Sequence, residues 1–171
     1  MVELEIASTW DGVPAGTSER IRLFVAEADG AWCIRIDAPF HGDPAPIGAA
    51  GPCDGLWNFE VVELFVVGVS GYTEMEFGPH GHHLVLRLDG VRSVVDSGHA
   101  IEFMTTVGRG RWRGDARVPL ALLPERPTRW NAFAIHGTGA NRRYLCMVAL
   151  PGPKPDFHQP ERFPEIHSLC Q

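Results

Sequence analysis

Leu56-Trp57-Asn58-Phe59-Glu60-Val61-Val62-Glu63 runs directly into Leu64-Phe65-Val66-Val67 and stops at Gly68. β-branched and aromatic residues dominate the run and no helical period accompanies them, so it reads as a strand. Side chains alternate along a strand, which sends Glu60 and Glu63 to opposite faces and excludes them as a paired acid and base. The apolar residues between and after them leave neither face fully polar, so one of the two glutamates must face inward or into a concavity. A carboxylate buried without a partner is costly. Its neighbour should therefore be an arginine, a ligand hydroxyl or a cation.

Working outward, similar short runs recur along the chain: Val2–Ala7, Arg20–Ala26, Ala31–Asp37, Glu60–Val67, Tyr72–Gly78, His83–Asp89, Ala100–Val107, Arg111–Val118, Trp130–Gly137 and Arg142–Ala149. Turn signals such as Ala28-Asp29-Gly30, Gly68–Gly71 and Asp89-Gly90 separate them. The one helical turn expected is Leu120–Leu123, after Pro119. Many short strands, tight turns and no helical crossover predict an all-β fold, an antiparallel two-sheet β-sandwich of jelly-roll-like type. Pro39–Pro52 and Pro151–Pro164 are rich in proline and should form an ordered loop and a tail without sheet bonds. No linker or repeat divides the chain, so residues 1–171 are expected to form a single domain.

The 171 residues carry 15 Lys and Arg against 21 Asp and Glu, a net charge of −6. That balance offers no general attraction for nucleic acid or anionic lipid. No segment reaches the length of a membrane span, and the N-terminus, Met1-Val2-Glu3-Leu4-Glu5-Ile6, lacks the pattern of a secretory signal. Cys33, Cys53, Cys146 and Cys170 are scattered, without a C-x-x-C pair. Together these features predict a soluble, cytoplasmic protein with reduced thiols. Exposed edge strands fit a monomer or a homodimer equally.

The candidate chemistry is sparse. Tyr72, Glu74 and Glu76 share one face of their strand. They read either as a solvated outer face or, with Glu63 on a facing strand, as a polar cleft or weak Ca²⁺ site. Gly78-Pro79-His80-Gly81-His82-His83 invites a metal reading, but His82 and His83 should point apart and nothing completes a ligand set. Arg109, Arg111 and Arg113 flank Trp112. In an acidic molecule this strip is expected to be a solvated face with its Trp packed inward. Neither a Gly-x-Ser-x-Gly elbow nor a P-loop is present.

Several motifs, taken together, carry a resemblance. They are Leu56-Trp57 with Glu60-Val61-Val62-Glu63; Tyr72 with Glu74 and Glu76; Pro79-His80-Gly81 with His83-Leu84-Val85-Leu86; Asn131 with Phe133-Ala134-Ile135-His136-Gly137; and Lys154-Pro155-Asp156-Phe157-His158. From about Thr9 to Phe163 the chain resembles the family that includes the protein of human chromosome 4 open reading frame 33. More distantly it is similar to the family 9 carbohydrate-binding modules and DOMON-like domains. That resemblance implies a sandwich with a cleft for a saccharide end, with Trp57 as stacking wall and Glu63 as hydroxyl acceptor. Phe157 or Phe163 would form the opposite wall.

Sugars stack their C–H faces on aromatic rings and offer hydroxyls to carboxylates, amides and arginines. Trp57, Glu63, Glu76, Asn131, Arg143, Phe157 and His158 are therefore the expected ligand-binding residues. The expected function is a non-catalytic, carbohydrate-binding-like module for a small saccharide or sugar-bearing metabolite. The alternatives are a sugar-acting hydrolase or lyase using Glu63, Glu76 or His80, and a protein-interaction domain.

Overall fold

A computed structural model describes residues 1–166. Its strands are β1 (Val2–Ile6), β2 (Ser8–Thr9), β3 (Ile21–Ala28), β4 (Ala31–Pro39), β5 (Gly51–Pro52), β6 (Val61–Gly68), β7 (Gly71–Phe77), β8 (His82–Gly90), β9 (Ser93–Ser97), β10 (Glu102–Gly108), β11 (Arg111–Pro119), β12 (Arg129–His136) and β13 (Arg143–Cys146). They form two sheets, one in the order β1-β3-β4-β11-β10 and one in the order β2-β13-β12-β6-β7-β8-β5, with β9 also paired to β8. Every pairing is antiparallel except the two-residue contact of β5 with β8. The fold is thus an all-β, antiparallel two-sheet sandwich. The expected helical turn is present as a short 3₁₀ segment, Leu120–Leu122.

The alternation that builds the strands also builds the core. Leu23, Val25, Ile34, Ile36 and Trp112 of the smaller sheet meet Val62, Leu64, Val66, Met75, Phe77, Ala132 and Ala134 of the larger one. Trp32 and Trp130 close this interface edge to face, their centroids 6.2 Å apart. Trp112 is buried, as the basic strip around it predicted, and the Arg113 side chain stays in solvent.

The intervening residues of the larger sheet face the other way, and they too are buried. Val61, Phe65, Tyr72, Leu84, Leu86, Leu88, Phe133 and Ile135 form a second apolar cluster, over which Leu150, Phe157 and Phe163 fold. Phe133 stacks on Phe157 with centroids 4.0 Å apart. A sheet covered on both sides explains why β6 is apolar throughout, since only a half-exposed antiparallel strand needs a polar face. It also corrects the reading of Glu74 and Glu76 as a solvated outer face, because Glu74 is 4% and Glu76 0% exposed.

Both proline-rich segments depart from expectation at their ends. The loop finishes in β5, whose Gly51 and Pro52 lie parallel to His82 and His83. The tail returns a backbone bond, Trp130 N–H to the Pro164 carbonyl. Proline lacks a donor but keeps its carbonyl, so a proline-rich segment can still join a sheet edge as an acceptor.

Strand register sets the neighbours of the buried acids. The tight β6–β7 hairpin turns at Gly71, where φ is +106° and a side chain would run into the Leu88 carbonyl. With that turn set, Glu63 lies opposite Glu76, and Phe65 lies opposite Glu74. Across β12, Glu63 lies opposite Phe133.

Candidate functional site

A cleft of about 360 Å³ opens on the tail-covered face of the larger sheet. Glu63, Phe65 and Glu74 form its floor. Trp57 and Tyr144 stand on one side, and Arg92 with the tail residues Asp156, Phe157 and His158 on the other.

Each wall is held by its own contacts. Trp57 belongs to a 3₁₀ turn, Leu56–Asn58, entered through Gly55 at φ 72°. The Arg142 guanidinium clamps this turn by donating to the carbonyls of Trp57, Asn58 (3.0 Å) and Gly137 (3.2 Å). It also lies over the Tyr144 ring, 5.8 Å from its centroid. Trp57 itself remains 41% exposed, its backbone held while its indole stays open to solvent.

The opposite wall is a polar chain. Arg92 pairs with Asp156 at 2.8 Å, and Asp156 accepts the His158 backbone N–H. Tyr72 Oη accepts the Arg92 backbone N–H and lies 2.7 Å from His158 Nδ1. The phenol O–H is thus free to donate to Nδ1, which leaves the His158 proton on Nε2, 3.8 Å from Glu74 Oε2. Burial, and then the Arg92 charge, push the His158 pKa down to about 4. The imidazole is neutral at physiological pH.

The floor is acidic. Oxygens of Glu63, Glu74 and Glu76 lie within 4.8 Å of one another. Burial dominates their electrostatics and raises all three. Glu63 is raised further by Glu74, Glu76 by both of its neighbours, and Glu74 stands at about 7. Glu63 and Glu74 line the cleft, whereas Glu76 lies beneath them. Among the described residues this is the one group of three acid, thiol or imidazole side chains close enough to share an ion.

Of the residues expected from sequence, Trp57, Glu63, Phe157 and His158 converge on the cleft, with Glu76 under its floor. Two do not. Asn131 is fully buried, its amide donating to the Val148 carbonyl and accepting from the N–H groups of Val148 and Ala132. It stitches the chain after β13 to β12. Arg143 points away from the cleft and forms a two-pronged pair with Glu19 at 2.9 and 3.0 Å. Phe163 packs under the tail, against Phe65 and Phe133, rather than on the cleft. Asn131→Ala should cost about 2 kcal/mol of stability, the scale of stranding buried backbone partners. Urea titration would measure that loss, and ligand binding should survive it.

The histidine turn lies elsewhere. His80 is exposed and packs edge-on against Phe40. His83 accepts the Ile101 N–H and meets Phe103. Arg92, Tyr144, Asp156 and Phe65 escaped the sequence reading, as did the role of Arg142 in holding Trp57. Strict alternation from Leu145, which faces the sandwich core, would have turned Tyr144 toward the cleft. Arg92 sits in a turn at φ 59° and carries no such signal.

No family model matches the chain. The chain is 38% identical over 172 residues to the UPF0462 protein C4orf33 of Homo sapiens, covering 95% of this chain and 86% of that protein. The Rattus norvegicus homologue gives the same identity and coverage. The Danio rerio homologue is 32% identical, covering 96% of this chain and 88% of its own. In structure, the chain is similar to a crystal structure from Bacteroides uniformis ATCC 8492 named a "putative carbohydrate-binding protein". That likeness has a TM-score of 0.73 at 12% identity, covers 95% of this chain and 84% of the other, and concerns the fold.

Proposed function

The chain belongs to the UPF0462 family, and we propose that its cleft binds a small saccharide or sugar-bearing metabolite without transforming it. One observation carries the reading: an exposed indole, Trp57, on a turn clamped through its backbone, stands beside a floor of carboxylates in a cleft of monosaccharide scale. Trp57 and Tyr144 offer the flat apolar surfaces on which a pyranose stacks. Glu63, Glu74 and Arg92 offer acceptors and a donor to its hydroxyls. The fold likeness to a protein named for carbohydrate binding agrees with this reading.

The setting we propose is a single cytoplasmic domain. Cys33, Cys53 and Cys146 are free thiols, which suits a reducing compartment. Cys170 lies outside the described residues. No helix among the described residues is long and apolar enough to cross a membrane.

Geometry disfavours the hydrolase alternative. A glycosidic bond is cleaved between two carboxyl groups that flank it. Glu63 and Glu76 instead lie side by side on neighbouring strands of one floor, and Glu76 is enclosed. His80 is outside the cleft altogether.

Isothermal titration against a panel of mono- and oligosaccharides tests the reading. A binder should appear, and Trp57→Ala should weaken it at least about tenfold, the loss of one good stacking contact. The melting temperature of that variant should barely change, because the ring is largely outside the core. An empty panel, or equal affinity in parent and variant, removes the sugar-binding reading.

A further inference from the structure

We propose that Glu63, Glu74 and Glu76 together hold one hard divalent cation, of the size of Ca²⁺, at the floor of the cleft. The site does not depend on what the cleft accepts above it.

Three carboxylates brought together by neighbouring strands do not by themselves make a site. What sets this group apart is Glu76. Its side chain is 0% exposed and neither carboxylate oxygen has a hydrogen-bond partner outside the trio, although one of them lies within 4.8 Å of an oxygen of Glu63 and of Glu74. Glu74 Oε2 is likewise buried and without a hydrogen bond. Buried polar atoms are nearly always satisfied, so this trio asks for a positive partner.

The protein's own cations are committed elsewhere. Arg142 is spent on the carbonyls of Trp57, Asn58 and Gly137, and Arg92 on Asp156. Among the described residues, no Arg or Lys forms an ion pair with Glu63, Glu74 or Glu76. The nearest imidazole, His158, reaches only Glu74, at 3.8 Å.

The dimensions fit an ion. Calcium takes oxygen ligands at about 2.3–2.6 Å, so donors on opposite sides of it stand roughly 5 Å apart. The carboxylate oxygens here lie within 4.8 Å of one another, which lets one ion touch all three. The set contains oxygen alone, without thiolate or imidazole, and oxygen donors select hard cations. Enclosure of Glu76 favours Ca²⁺ over Mg²⁺, which gives up its waters reluctantly. Because Glu63 and Glu74 border the cleft, the ion's remaining positions face open space, where water or a ligand hydroxyl can complete them.

Terbium is the direct probe, since Tb³⁺ occupies Ca²⁺ sites and emits when a nearby aromatic ring is excited. Tyr72 shares the face of β7 with Glu74 and Glu76, and Trp57 stands over the cleft. The protein freed of metal by chelation should sensitise terbium emission, and added CaCl₂ should quench it by displacement. Calcium at about a hundredfold its dissociation constant should raise the melting temperature by roughly 5–10 °C over the EDTA-treated sample. Glu76→Gln should weaken calcium at least tenfold. Should that variant fail to fold, Glu63→Gln at the cleft border serves the same purpose. Absent terbium emission together with an unchanged melting temperature overturns the proposal. Glutamine variants that bind calcium as tightly as the parent overturn it equally. A result of either kind leaves the saccharide titration, run separately in EDTA and in calcium, to stand or fall alone.

Discussion

Phe133→Ala is expected to lower stability by about 3–5 kcal/mol, the range for emptying a fully buried phenylalanine site. For a chain of this size that corresponds to a fall of roughly 6–20 °C in melting temperature. Phe133 is 0% exposed and lies opposite Glu63 on the neighbouring strand. It stacks on Phe157 and meets Phe65 edge to face at 5.2 Å. Its removal therefore takes away the surface on which the tail rests, and the cavity cannot collapse without moving a strand. Phe157→Ala, at the tail side of the same stack, should cost less, because its ring is partly open to the cleft. Chemical denaturation of both variants checks the order. Equal and small losses would mean that the tail is not packed on the sheet.

Raising the pH from 6.5 to 8 in EDTA should lower stability, by up to about 1.4 kcal/mol per pH unit for each proton that only the folded state holds. Burial raises the carboxyl groups of Glu63, Glu74 and Glu76 in the folded protein, Glu74 to about 7. In the unfolded chain they ionise near their ordinary values. The folded protein then binds more protons, so stability falls as pH rises through the folded values. Histidines work in the opposite sense at lower pH. His158, pushed down to about 4, and His83 and His136, also lowered by burial, favour the unfolded chain only while its histidines can still take protons. Between about 6.5 and 7.5 the unfolded histidines still take up protons and offset part of the slope, and above about 7.5 the glutamates dominate. Urea unfolding across this range should show the slope in the parent and a flatter line for Glu76→Gln. A Glu76→Gln line parallel to that of the parent from 6.5 to 8 would show that Glu76 is ionised throughout.

Most of the architecture was legible in the chain because alternation and turn residues are local signals. The ten expected strands correspond to β1, β3, β4, β6–β8 and β10–β13, with ends displaced by a few residues. The short pairings β2 and β5 depend on partners far along the chain, and β9 exposes Val94 and Val95, so it has no inward face to announce it. The same distinction governs the site. Trp57 and Glu63 follow from the family resemblance, with strand alternation turning one glutamate of their run inward, whereas Asn131 and Arg143 follow from residue type alone. An amide does not declare whether it will serve a ligand or a neighbouring backbone, and Val148 claimed this one. Burial of Glu74 depends on the tail, whose His158 lies 3.8 Å from it and whose docking no periodicity reveals.

The doubly covered sheet has a bearing on how the chain survives its own synthesis. β6, β7 and β8 leave the ribosome early, and they can pair as consecutive hairpins at once. Phe65, Leu84, Leu86 and Leu88 then remain bare until Leu150, Phe157 and Phe163 have been translated. For that interval the nascent chain presents the kind of apolar strand surface on which chains aggregate and to which chaperones bind. Glu63, Glu74 and Glu76, still wet and charged at that stage, lie in the middle of this surface and would keep neighbouring nascent chains apart until the tail arrives.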